Sequence, residues 1–231
     1  MLGSCAWLAL EVRDREPVAA FYRERLDLPV IETTATETVL DAGTSTVILR
    51  RPDAVPRGGL HTHYAFSIPA ATYDNWRDRL GDSFDLTEMD FGGARSLYLD
   101  DPAGNCVELG QRDVSGPGIA GIFELVLEVA DLERATDLYT TLGFEVVDRG
   151  EERRRVRLTT GDLDLELWEP QVGIADGRGG VHVDWGLRVG DAAAVIDRVR
   201  DRVQLIEAVD DGVRILDPDG HYLTLVDDET R

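Results

Sequence analysis

Several things are scarce in this chain. It holds two cysteines, Cys5 and Cys106, in 231 residues. Two are too few for a disulfide framework, so both are expected as small buried hydrophobes in a reducing compartment. Basic side chains number 24 against 45 acidic ones, for a formal net charge of −21. That balance argues against nucleic acid or an anionic membrane surface as a partner. The acidic residues are spread along the chain, as on an acid-coated globular protein. A cytoplasm of high salt would screen their mutual repulsion. No apolar run reaches about 18 residues, so no membrane-spanning helix is expected. The opening MLGSCAWLALEVRD lacks the basic stretch and apolar core of a signal peptide. Histidines number only four, which gives weight to any one of them on the face of a strand.

What is present is a repeat. In Leu97–Gly110, LYLDDPAGNCVELG, two alternating apolar runs flank Asp-Pro-Ala-Gly-Asn, and this predicts a hairpin. ILDPDGHYLTLV at Ile215–Val226 has the same form, its turn 116 positions later. Glu108 in the first hairpin is matched by Thr224 in the second, which suggests one site kept and one lost.

The rest of the chain keeps this register. Trp7–Val12 alternates, with Leu8, Leu10 and Val12 opposite Trp7, Ala9 and Glu11, as in a half-buried strand. Asp14 is placed to cap a helix carrying Val18, Phe21, Tyr22 and Leu26. Asp131 does the same for Leu132, Ala135, Leu138, Tyr139 and Leu142, and Gly143 stops that helix. Asp14 and Asp131, like Tyr22 and Tyr139, lie 117 apart. His61–Ile68 alternates ahead of a helix carrying Tyr73, Trp76 and Leu80. Val181–Val189 matches it ahead of a helix over Asp191–Val203. Further strands are predicted at Val30–Thr33, Thr38–Leu40, Thr46–Leu49, Asp85–Met89, Arg155–Leu158 and Asp162–Trp168. Asp113–Gly121 reads as a linker. The whole is α+β, four strand-helix-three-strand units in two halves, 1–113 and 122–231.

With "EVADLERATDLYTTLGF" and "LDPDGHYLTL", these four units resemble the vicinal-oxygen-chelate superfamily of glyoxalase I, fosfomycin-resistance proteins and extradiol dioxygenases. The resemblance implies two paired, cup-shaped, glyoxalase-like domains with a divalent metal inside a cup. It implies ligand positions at Trp7, Ile48, His63 and Glu108 in the first half. In the second half they fall at Glu124, Glu166, Asp184 and Thr224. Neither half holds a full set. Paired crosswise, one cup collects His63, Glu108, Glu124 and Glu166, and the other collects Trp7, Ile48, Asp184 and Thr224.

Periodicity agrees, since each member of the first set lies opposite its strand's helix-packing face. One imidazole and three carboxylates suit Zn, Ni, Co, Mn or Fe(II). The resemblance implies chelation of adjacent substrate oxygens and proton transfer, with Glu108 or Glu124 as the base. His61 shares the His63 face and aligns with His182. His63 is favoured because it precedes its helix by the same interval as Asp184. Cys106 also shares the Glu108 face and reads as an inert buried thiol. Trp7 and Tyr222, with Arg188 nearby, read as filling the degenerate cup or forming an aromatic slot. Tyr98 and Ser67 read as possible lining of the live cup.

The expected protein is a cytoplasmic monomer or homodimer acting on a small molecule. The alternatives are an extradiol-type dioxygenase and a metal-free binding protein of the bleomycin-resistance kind. The extradiol reading needs two histidines and one glutamate from a single half, and neither half supplies them.

Overall fold

The computed structural model describes residues 1–52, 58–151, 154–170 and 183–227. Four modules follow one another. The first is β1 (Leu2–Glu11), α1 (Arg15–Arg25), β2 (Val30–Thr33), β3 (Glu37–Ala42) and β4 (Ser45–Arg50). The second is β5 (His61–Pro69), α2 (Tyr73–Gly81), β6 (Thr87–Asp90), β7 (Arg95–Asp100) and β8 (Cys106–Arg112). The third is β9 (Gly121–Glu128), α3 (Leu132–Leu142), β10 (Glu145–Arg149), β11 (Arg155–Thr159) and β12 (Asp164–Trp168). The fourth is β13 (Val183–Val189), α4 (Ala192–Val199), β14 (Leu205–Val209), β15 (Gly212–Leu216) and β16 (Tyr222–Asp227). His182 and the start of the strand expected from Val181 lie outside the described residues.

The modules pair crosswise within the one chain. The first and fourth form an eight-stranded sheet in the order β14-β15-β16-β13-β1-β4-β3-β2. The second and third form the other, β10-β11-β12-β9-β5-β8-β7-β6. The centre of each is an antiparallel joint between opening strands, β1 with β13 and β5 with β9. Each sequence half is therefore shared between both sheets. The architecture is α+β, two open cups with helices packed on the outer faces.

Tyr22 and Tyr139 tie the sheets together. Tyr22 on α1 donates its hydroxyl to Asp101 Oδ2 at 2.9 Å, in the β7–β8 turn of the other sheet, and it also touches the Tyr64 hydroxyl. Tyr139 on α3 donates to Asp217 Oδ2, also at 2.9 Å, in the β15–β16 turn. Each aspartate meanwhile holds its own turn. Asp101 Oδ1 accepts from the Ala103 and Asn105 amides, and Asp217 Oδ1 accepts from those of Asp219 and His221. This double duty gives a physical reason for aspartate in both hairpin turns.

Two local expectations change. β1 is more than half-buried: Ala9 and Glu11 are buried along with Leu8 and Leu10, because their side is a cup floor, and only Trp7 on that side stays partly exposed. Asp131 and Asp191 cap their helices through Arg134 N–H at 3.0 Å and Ala194 N–H at 2.9 Å, but the Asp14 side chain makes no capping bond. The end of the linker is tied down at Ala120. The Ala120 amide donates to Ser67 O at 3.0 Å and its carbonyl accepts from the Thr44 amide at 2.9 Å.

Candidate metal centre

Register carries the chemistry into the cup of the second and third modules. Tyr98, Glu108, Ala65 and Glu124 form one row across β7, β8, β5 and β9. Cys106, His63 and Val126 form the next row. Side chains two residues apart on a strand share a face, so both rows point the same way. Ala65 matters by being small, because its methyl leaves the space between the two carboxylates open.

His63 Nε2 lies 3.3 Å from Glu108 Oε2 and 3.9 Å from Glu124 Oε2. One ligand atom from each of the three lies within 4.8 Å of the others. All three side chains are buried. Among the described residues this is the one such group of three or more. Metal–nitrogen and metal–oxygen bonds of about 2.0–2.2 Å set neighbouring ligands roughly 3–3.5 Å apart, so small side-chain adjustments would suit an ion. The Glu108 Oε2 atom is buried with no hydrogen-bond partner among the described residues. An orphaned carboxylate oxygen beside an imidazole is an atom that a divalent cation would satisfy. On its far side His63 Nδ1 stands 3.4 Å from the Thr62 hydroxyl. The rings of Tyr98 and Trp168 meet the imidazole edge-on, at 5.6 and 6.5 Å.

The charges are strongly coupled. Burial pulls the His63 imidazole down, but Glu108, Glu124 and Glu166 together raise it above its ordinary value. Burial pushes Glu108 up, and the adjacent His63 outweighs it, leaving Glu108 below its ordinary value. Glu124 is pushed up to about 7, by burial first and the Glu108 charge second, against the pull of Arg157.

Glu166 stands on the same side but is already engaged. Its Oε2 accepts from Trp168 Nε1 at 2.7 Å, and its Oε1 accepts from Arg155 Nη1 at 3.2 Å. Arg157, from β11, contacts Glu124 closely and lies 3.5 Å from Asp164 and 3.7 Å from Glu166. Sequence reasoning passed over Arg155, Arg157 and Trp168. The i, i+2 spacing of the two arginines in a strand was the available signal. Cys106 is half-buried, not buried, and burial still pushes its thiol up to about 12. The His61 ring is 5.7 Å from that of Tyr64 and is outside the triad. Ser67 gives its hydroxyl to Gly121 O at 3.2 Å.

The other cup sets the Trp7 indole over its central joint. Trp7, Gly186 and Thr224 share a row, and Ile48, Ala9, Asp184 and Tyr222 share the next. A Cβ on Gly186 would come within 2.4 Å of Trp7 Nε1. The indole therefore covers the place that Ala65 leaves open in the first cup. Asp184 is bound to Arg50 Nη1 at 2.9 Å. Burial pushes it up to about 6, although Arg50 and Arg214 pull it back. Arg188 does not serve this cup but ties β1 to its neighbours, through Ser4 Oγ at 3.0 Å and the carbonyls of Cys5 and Thr44 at 2.9 and 3.0 Å.

Paired strand-helix-three-strand modules enclosing a cup define a class. The chain has the vicinal-oxygen-chelate fold in its two-domain, four-module form. Solved structures carry that statement. A "putative dioxygenase" from Bacillus subtilis superposes with a TM-score of 0.76 at 17% identity, covering 99% of this chain and 86% of its own. Glyoxalase I from Zea mays superposes at 0.69 with 18% identity, covering 97% and 92%. No family profile matches the chain. No curated protein matches it either.

Proposed function

We propose that this chain is a divalent-metal-dependent enzyme of glyoxalase type, acting on a small substrate with adjacent oxygens by proton transfer. The carrying observation is the buried convergence of His63, Glu108 and Glu124 in one cup. His63 Nε2, Glu108 Oε2 and a Glu124 oxygen would hold the ion, and Glu166 is a reserve ligand once Arg155 and Trp168 release it. When bound, a divalent ion supplies Lewis acidity toward adjacent substrate oxygens. Glu108, kept ionised by His63, stays a fixed ligand. Glu124 is assigned the proton transfer: it would leave the ion to take a proton at the carbon beside a carbonyl and return it. β5, β8 and β9 all belong to one chain, so the triad needs no second copy.

One imidazole in the triad, not two, gives little support to an extradiol reaction. Elemental analysis after separate loading with Zn, Ni, Co and Mn tests the reading. About one ion per chain in the wild type, lost in Glu108→Ala, is expected. No ion under any loading would overturn it. Hemithioacetals and α-hydroxycarbonyls are the substrates to screen.

A further inference from the structure

Two carboxylates hold matching places in the cup of the triad, and their surroundings differ. Glu108 on β8 lies one strand out from β5, and Glu166 on β12 lies one strand out from β9, the two strands of the central joint. Glu108 lines up with Glu124 through Ala65, and Glu166 lines up with His63 through Val126. Glu166 therefore stands at the fourth corner of the set, near enough that its charge acts on both His63 and Glu124. Two residues beyond Glu108, on the same face, the strand carries Gly110, which has no side chain to offer. Glu108 Oε2 is buried without a hydrogen-bond partner among the described residues. Two residues beyond Glu166 the strand carries the buried Trp168, whose Nε1–H donates to Glu166 Oε2 at 2.7 Å. Arg155, directly across from Trp168 on β11, donates to Glu166 Oε1 at 3.2 Å and is itself anchored by Asp148 at 2.7 Å. Both oxygens of Glu166 are engaged, and it is outside the group whose ligand atoms converge within 4.8 Å.

We propose that Trp168 is a positioning residue that holds Glu166 off the ion, so that His63, Glu108 and Glu124 alone meet it and a further position is left for substrate oxygens. This rests on the metal-dependent reading above. The indole N–H is the one donor to Glu166 Oε2 among the described residues, so that oxygen is kept from the ion by a single, replaceable bond. Withholding Glu166 has two consequences. Two ionised carboxylates balance a divalent ion, whereas a third would leave the site anionic and blunt its Lewis acidity. A substrate that binds through two adjacent oxygens also needs open positions, which a closed set of four protein ligands does not leave. The Arg155 and Arg157 guanidiniums, at 3.2 and 3.7 Å from Glu166 Oε1, supply the positive charge that the ion does not give it.

The test loads the protein with Mn and counts exchangeable waters on the ion by water-proton relaxation, with Mn affinity read by electron paramagnetic resonance. The wild type is expected to show about three waters, since Mn favours roughly six ligands. Trp168→Phe keeps an aromatic ring and loses the N–H, so Glu166 Oε2 is released to the ion. It is expected to lose about one water and to hold Mn roughly 10-fold more tightly, the size of effect that outer partners have on a metal site. Trp168→Phe with Glu166→Gln is expected to regain the wild-type count, which assigns the displaced water to Glu166. An unchanged count in Trp168→Phe, or a weaker affinity, overturns the role of Trp168 while leaving the metal site intact. Should Trp168→Phe not fold, Glu166→Gln alone decides: its water count is expected to equal that of the wild type, and a gained water would place Glu166 among the ligands and overturn the proposal. Failure of the wild type to load Mn, Zn, Ni or Co overturns both readings.

Discussion

Replacing Glu124 with glutamine separates the cost of the empty site from its use. In the metal-free protein Glu124 titrates near 7, against an ordinary value of 4.5, chiefly because burial penalises its charge. A carboxyl raised on folding makes the native state hold a proton that the unfolded chain has lost. The Glu124 contribution to stability is therefore greatest below about 4.5 and falls as pH rises from there through about 7. The gap between the two values corresponds to about 3 kcal/mol at full ionisation. Glutamine is neutral at every pH and nearly isosteric. In chelator, Glu124→Gln is expected to lie within about 1 kcal/mol of the wild type at pH 5 and to exceed it by about 1–3 kcal/mol at pH 8, the lower figure allowing for the lost charge of the Arg157 contact. Metal reverses the order, because an ion at 100 times its dissociation constant stabilises the wild type by about 2.7 kcal/mol and the variant much less. Urea unfolding at the two pH values, with chelator and then with Zn, reads all four cases. A variant less stable than the wild type at pH 8 in chelator would refute the reasoning, as would a gain equal at both pH values.

Other outcomes follow from the same structure. Glu108→Ala removes a triad oxygen and is expected to abolish metal loading, read by elemental analysis. Gly186→Ala puts a methyl where Trp7 Nε1 now lies, so it should cost about 1–3 kcal/mol in thermal unfolding while metal loading survives. Tyr139→Phe leaves Asp217 Oδ2 without its helix partner and should cost about 1–3 kcal/mol, again with metal loading intact. Metal lost in either variant would mean that the two cups are not independent.

The sequence made the modular repeat legible because its marks do double duty. The tyrosines 117 apart and the turn aspartates 116 apart are bonded to each other across the sheets, so their spacing was a trace of packing. β10 and β14 went unread. β10 is exposed along its whole length and β14 has no buried residue, so neither carries a period-2 signal. Crosswise pairing was legible as a need for a full ligand set. That both sheets close within one chain was not, since strand order leaves no local mark. Alternation placed His63, Glu108, Glu124 and Glu166 on the cup side. It could not show that Trp168 and Arg155 would occupy Glu166, which depends on side-chain reach across strands.

The nesting of the sheets has a consequence for how the protein is made. The sheet bearing the triad is contiguous, β5 to β12, residues 61–168. The other is built from the two ends of the chain, and its central joint sets Trp7 beside Gly186. During synthesis every strand around His63, Glu108 and Glu124 emerges before the last module exists. Until that module arrives, β1 is an open edge with a ladder of unmet backbone groups. A chain stopped short of β13, or slow to dock it, therefore carries a finished inner sheet and an unfinished outer one. Its natural error is to borrow β13 from a second copy, giving an exchanged dimer whose His63, Glu108 and Glu124 triads remain whole.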